Sequence, residues 1–198
     1  MNETKDRERL MELLRRESVR FGDFVLASGQ KSNVYIDARL TTCRAEAMPL
    51  IGNVFLDKMD ERGWRPEAVG GLTMGADPVA MAIARQSLER GRAINAFVVR
   101  KESKKHGLRR FIEGLEVKEG VKVVVIDDVC STGESTVTAI TRVREAGMIV
   151  LGALCLVDRE MGARQNIEGG LGCAFDSIFT MTELTDEGLP LGTSKSTR

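Results

Sequence analysis

The chain has 198 residues, 42% of them hydrophobic, which suits one substantial core and a single domain over 1–198. Lys plus Arg and Asp plus Glu each total 29, so no global field draws in nucleic acid and any anion site must be local. The longest apolar runs, such as residues 121–126 broken by Lys122, fall far short of the roughly 20 residues a bilayer requires. The charged segment 1–16 has no apolar signal region, so a cytoplasmic location without membrane partners is expected.

Thr4 is placed to cap a first helix, in which Leu10, Leu13 and Leu14 recur at i, i+3 and i+4 opposite Lys5, Arg9, Glu12 and Arg16. The spacing of Met48, Ile51, Phe55 and Met59 predicts a second helix over 44–61, closed by Gly63. A strand at 67–72, a helix over 78–90 with Pro78 in its first turn, and a strand at 94–100 follow. After a polar stretch (101–120) come a strand at 121–126, a helix over 135–146 ended by Gly147, and a strand at 149–157. Residues 161–174 are Gly-rich and less regular, 177–181 read as a last short strand, and the tail 191–198 is expected to be mobile. Alternating strands and helices imply an α/β fold with a mostly parallel sheet flanked by helices.

Cys43, Cys130, Cys155 and Cys173 show no C-x-x-C spacing and accompany a single histidine, so they read as reduced thiols rather than a zinc site. Only Cys130 falls inside the most informative stretch, Val123-Val124-Val125-Ile126-Asp127-Asp128-Val129-Cys130-Ser131-Thr132-Gly133-Glu134-Ser135. There an apolar strand delivers two carboxylates to the edge where open parallel sheets bind ligands. Adjacent carboxylates repel, a cost that sugar hydroxyls or a hydrated cation would relieve. The turn that follows offers consecutive backbone N–H groups, three hydroxyls and a helix start, which together favour an anion. A diol or metal binder beside a phosphate cup describes a sugar phosphate. Neither G-x-G-x-x-G after a strand nor G-x-x-x-x-G-K-[ST] is present.

These thirteen residues resemble the phosphoribosyl pyrophosphate signature of type I phosphoribosyltransferases. Phe21-Gly22-Asp23-Phe24-Val25-Leu26-Ala27-Ser28-Gly29-Gln30-Lys31-Ser32, Gly70-Gly71-Leu72-Thr73-Met74-Gly75-Ala76-Asp77, Val99-Arg100-Lys101-Glu102-Ser103-Lys104-Lys105-His106-Gly107 and Leu156-Val157-Asp158-Arg159-Glu160 are similar to segments of orotate phosphoribosyltransferases. The likeness runs from about residue 21 to 184, in the family's order. It implies a core at about 44–160 and a small hood built from about 18–43 and 161–185.

The resemblance also implies roles. Asp127 and Asp128 hold the ribose hydroxyls, and Val129, Cys130, Ser131, Thr132, Gly133, Glu134 and Ser135 surround the 5-phosphate. Thr73 lies in the pyrophosphate loop, and Arg100, Lys101, Lys104 and His106 contact pyrophosphate from a basic lid shared between the subunits of a homodimer. Lys31 and Tyr35 belong to the hood over the base, and Arg159 pairs with the carboxylate that distinguishes orotate from uracil. The expected catalytic residues are Lys101, Lys104, His106 and Asp128. Mg²⁺ is the expected cofactor, held mainly by substrate and through water to Asp127 or Asp128, with no direct protein ligand assigned. Met74 stands where some members carry lysine, Asn33 where relatives often have proline, and Ala27 where some have a substrate-contacting lysine. Transfer of ribose 5-phosphate to orotate is the reading adopted. A purine phosphoribosyltransferase and a non-catalytic sensor of phosphoribosyl pyrophosphate are the alternatives.

Overall fold

Residues 122–130 explain most of the architecture. Along this strand Val124 and Ile126 enter one apolar cluster while Val123 and Val125 enter another, so both faces of the sheet must be covered. The computed structural model, which describes residues 3–25, 31–102 and 111–186, covers them with helices. One face packs against α1 (Glu3–Glu17), α3 (Met48–Glu61) and α4 (Ala76–Glu89), contributing Leu10, Leu14, Phe55 and Ile83. The other packs against α5 (Glu134–Glu145), with Ala139, Ile140 and Val143, and against a π-helical turn, Gln165–Gly169.

The sheet holds β3 (Ala68–Leu72), β4 (Asn95–Val99), β5 (Ile112–Glu113), β6 (Lys122–Cys130), β7 (Ile149–Asp158) and β8 (Phe175–Thr180) in the order β5-β4-β3-β6-β7-β8. All neighbours are parallel except β4 and β5, so the expected α/β class and mostly parallel sheet are borne out. From β3 the chain steps outward one way and from β6 the other. Their carboxyl ends therefore form a topological switch point, where connecting loops part and leave a crevice.

A separate antiparallel hairpin, β1 (Val19–Val25) and β2 (Lys31–Ile36), carries Phe24 beside Tyr35 with ring centroids 5.5 Å apart. It is followed by the short α2 (Arg39–Thr42). At the other end of the chain, Thr180 and Glu183 cap α6 (Met181–Thr185) reciprocally. The two ends are tied together: Arg7 donates to Ile178 O and Glu183 Oε1 at 3.0 and 2.6 Å, and Arg15 donates to Leu184 O at 3.1 Å.

Several boundaries move from their sequence expectations. The second long helix starts at Met48, since residues 44–47 turn and Pro49 suits only a first helical turn. β6 continues past the apolar run to Cys130, because Asp127 and Val129 still pair with Cys155 and Val157 of β7. The irregular stretch 161–174 contains the π-helical turn. Lys104, His106 and the tail 191–198 lie outside the described residues. Among those described, no helix is long and apolar enough to cross a membrane.

Candidate active site

The crevice at the switch point is a cleft of about 250 Å³ lined by Thr73, Gly75, Lys101, Asp127, Asp128 and Ser135, together with Asp37 and Arg39. Side chains alternate along β6, so its two carboxylates leave on opposite faces of the strand end. Asp127 turns toward α5 and is only 6% exposed. Its Oδ2 accepts from Thr136 Oγ1 at 2.9 Å, and its Oδ1 accepts from the Asp128 N–H at 3.0 Å. Asp128 accepts from the Val129 N–H at 2.8 Å and lies under the loop after β3. That loop approaches so closely that a Cβ on Gly75 would stand 2.2 Å from Asp128 Oδ1. Only glycine fits with both groups in place.

The electrostatics follow from this crowding. Asp127 is pushed up from 3.8 to about 7, first by burial and then by the charge of Asp128, with the Thr136 hydroxyl pulling the other way. Asp128 is also raised, chiefly by burial, against the opposing Val129 N–H and the positive charge of Arg39. A carboxyl whose folded pKa lies above its unfolded value destabilises the fold progressively as pH rises through that interval. Asp127→Asn is therefore expected to gain stability relative to the parent by roughly 2–3 kcal/mol between about pH 5 and pH 8. Urea unfolding of both proteins at the two pH values checks this; a pH-independent difference contradicts it.

Past β6 the chain enters α5 through Gly133, whose φ of 83° places it in the left-handed region. The Thr132 carbonyl accepts from Asn166 Nδ2 at 2.8 Å, so the π-helical turn props this loop from behind. Ser135 faces the cleft, whereas the Cys130 thiol is buried and lies 3.1 Å from Thr136 Oγ1. Cys130 therefore lies outside the cleft lining, its thiol turned to Thr136. Thr136→Val removes the hydroxyl that anchors Asp127 without changing side-chain shape. It is expected to reduce kcat/KM about tenfold while leaving the melting temperature within a few degrees. Initial rates and thermal unfolding measure the two effects.

A second cleft, about 330 Å³, gathers Lys31, Ser32 and Val34 of the hairpin with Arg159, Met161 and Met181. Arg159 is anchored by its N–H to Cys130 O at 2.8 Å, and its guanidinium donates to Ser131 Oγ at 3.4 Å. It therefore stands between this second cleft and the helix-start turn. Tyr35 lies outside both linings, against Phe24. Arg100 has its guanidinium 3.7 Å from Glu113. Among the described residues no cluster of three or more His, Cys, Asp or Glu could hold a metal.

Sequence reasoning did not single out Asp37, Arg39 or Thr136. Arg39 grips Asp37 through Nε and Nη2 at 2.9 and 3.0 Å while its charge acts on Asp128. The available signal was an acid and a base two positions apart just after a strand. For Thr136 it was a hydroxyl in the first turn of the helix that follows the acids.

A paired-acid strand end beside a helix start, at the switch point of a parallel sheet, is the arrangement expected of the phosphoribosyltransferase class. The phosphoribosyl transferase domain family matches residues 45–170. An orotate phosphoribosyltransferase of Streptomyces avermitilis is 44% identical over 175 residues, covering 88% of this chain and 94% of that one. The crystal structure of Mycobacterium tuberculosis orotate phosphoribosyltransferase in complex with Fe(III) dicitrate aligns with a TM-score of 0.80 at 42% identity, covering 91% and 99% of the two chains. The same enzyme in complex with 5-phospho-α-D-ribosyl 1-diphosphate aligns at 0.73 and 37% identity, over 91% and 92%. The chain belongs to the orotate phosphoribosyltransferase family.

Proposed function

We propose that the chain transfers ribose 5-phosphate from phosphoribosyl pyrophosphate to orotate, giving orotidine 5-phosphate and pyrophosphate in de novo pyrimidine biosynthesis. The observation that carries this reading is the joint presence of Asp127, Asp128, Ser135 and Lys101 around one cleft. Asp127 and Asp128 accept the ribose hydroxyls, and the N–H groups and hydroxyls of 131–135 receive the 5-phosphate. The loop at 73–75 and Lys101 face the pyrophosphate, joined by Arg100, Lys104 and His106 from the basic segment. Arg159 takes the orotate carboxylate, and the hairpin and C-terminal helix serve as the hood over the base, with Lys31 and Tyr35 in it.

Magnesium fits the residues present. Two crowded carboxyls with raised pKa values gain from a nearby cation, and a cation held largely by substrate oxygens and water needs no protein cage. Asp127 or Asp128 would hold it through water, and its chemistry there is charge neutralisation on pyrophosphate. The chain's own part is to fix the sugar at both ends and to place cations where negative charge grows as the C1–O bond breaks. The orotate nitrogen bonds to C1 as its N–H proton passes to solvent or to the departing pyrophosphate, which leaves with the C1–O bonding electron pair.

A homodimer is part of this proposal, with the basic segment reaching the neighbouring site. Leu40, Met74 and Met81 are exposed, with Met74 on the cleft itself, and a second copy would cover such side chains. A reducing cytoplasm suits the four unpaired cysteines. The test is pyrophosphate release from phosphoribosyl pyrophosphate and magnesium with orotate, adenine, hypoxanthine or uracil. Release with orotate alone is expected. Release only with a purine would move the chain to a different branch of the family.

A further inference from the structure

Arg142, in the last turn of α5, holds the segment that carries Lys101. Its guanidinium donates to two successive carbonyls, Nη1 to Arg100 O and Nη2 to Lys101 O, the latter at 2.9 Å. The same group lies 4.1 Å from the centre of the Phe111 ring. Phe111 is itself bound to this segment, because the Arg100 N–H donates to its carbonyl at 2.8 Å. Regular pairing of β4 with β5 ends at Val99 and Ile112, and the Arg100–Phe111 bond carries it one step further; the Arg100 and Lys101 carbonyls are held by Arg142.

We infer that Arg142 is a positioning residue for Lys101. A lysine is a flexible point charge whose ordering carries an entropic cost, and fixing its backbone lowers the cost of presenting the ammonium in the cleft. A planar fork can hold two carbonyls and stack on a ring at once, which a lysine at the same place cannot do. The location adds a second effect. Glu134 opens α5 within the 131–135 segment assigned to the 5-phosphate, so the helix that presents that segment also anchors the root of Lys101. Both ends of the sugar substrate are thereby referenced to one rigid element.

The inference rests on the reading that Lys101 meets the departing pyrophosphate, and a double-mutant cycle separates the two. Arg142→Gln is expected to lower kcat about tenfold with the KM for orotate unchanged, and Arg142→Lys should not restore it. In a Lys101→Ala background, Arg142→Gln should cause less than about a twofold further loss, because its target is gone. Full activity of Arg142→Gln, or an equal loss in both backgrounds, overturns the inference about Arg142. Parental activity of Lys101→Ala overturns instead the role of Lys101, and the inference with it. Hydrogen exchange covers the case of a poorly stable variant. In folded Arg142→Gln protein the Arg100 amide should exchange at least several-fold faster than in the parent, and unchanged exchange overturns the proposal.

Discussion

Asp128→Ala is expected to lower kcat/KM for phosphoribosyl pyrophosphate by about 10²–10³-fold while leaving the protein folded. The carboxylate lies between the Val129 N–H and the Gly75 loop, in the cleft that also holds Lys101. Its loss removes a charged acceptor for a ribose hydroxyl, an interaction of the stronger hydrogen-bond class. The fold loses little, since the substitution also relieves the repulsion that raises Asp127. Initial rates and a melting curve check both halves. A rate within threefold of the parent would remove Asp128 from sugar binding.

Gly133→Val is expected to raise the KM for phosphoribosyl pyrophosphate about 100-fold and to leave the KM for orotate within a few-fold. An L-residue held in the left-handed region costs about 1–2 kcal/mol, and a β-branched one is a stronger outlier. Space offers no relief. A Cβ at this position would stand 3.2 Å from Ile167 Cδ1 and 3.3 Å from Ala163 Cα, on the π-helical side that props the turn. The chain must then abandon the left-handed turn that leads from β6 into α5, and with it the placement of residues 131–135 assigned to the 5-phosphate. Steady-state kinetics with each substrate varied in turn measure the asymmetry, and equal increases in both KM values would contradict it.

Patterns that repeat along the chain made the fold legible. The 3.6-residue spacing of Leu10, Leu13 and Leu14 and the continuous apolar run before Asp127 each report a buried face directly. The hairpin was not legible, because its strands are largely exposed and bury too little to impose a clear period. The signature at 123–135 made the strand end, the paired acids and the helix start legible, since the three are contiguous. It did not announce that Asp127 would be buried on Thr136, nor that Arg39 would face Asp128 across the cleft. Those relations join side chains from separate elements. The same holds for Arg142, which lies more than 40 positions from the carbonyl of Arg100 that it binds.

The claim that one activated sugar is gripped at both ends is tested most directly by a crystal structure of this chain with phosphoribosyl pyrophosphate and magnesium. The ribose hydroxyls should lie within hydrogen-bond reach of the Asp127 and Asp128 carboxylates while the 5-phosphate sits on the N–H groups of 131–135. A ligand bound elsewhere, or one whose phosphate lies in the Arg159 cleft with the two aspartates untouched, would contradict the account.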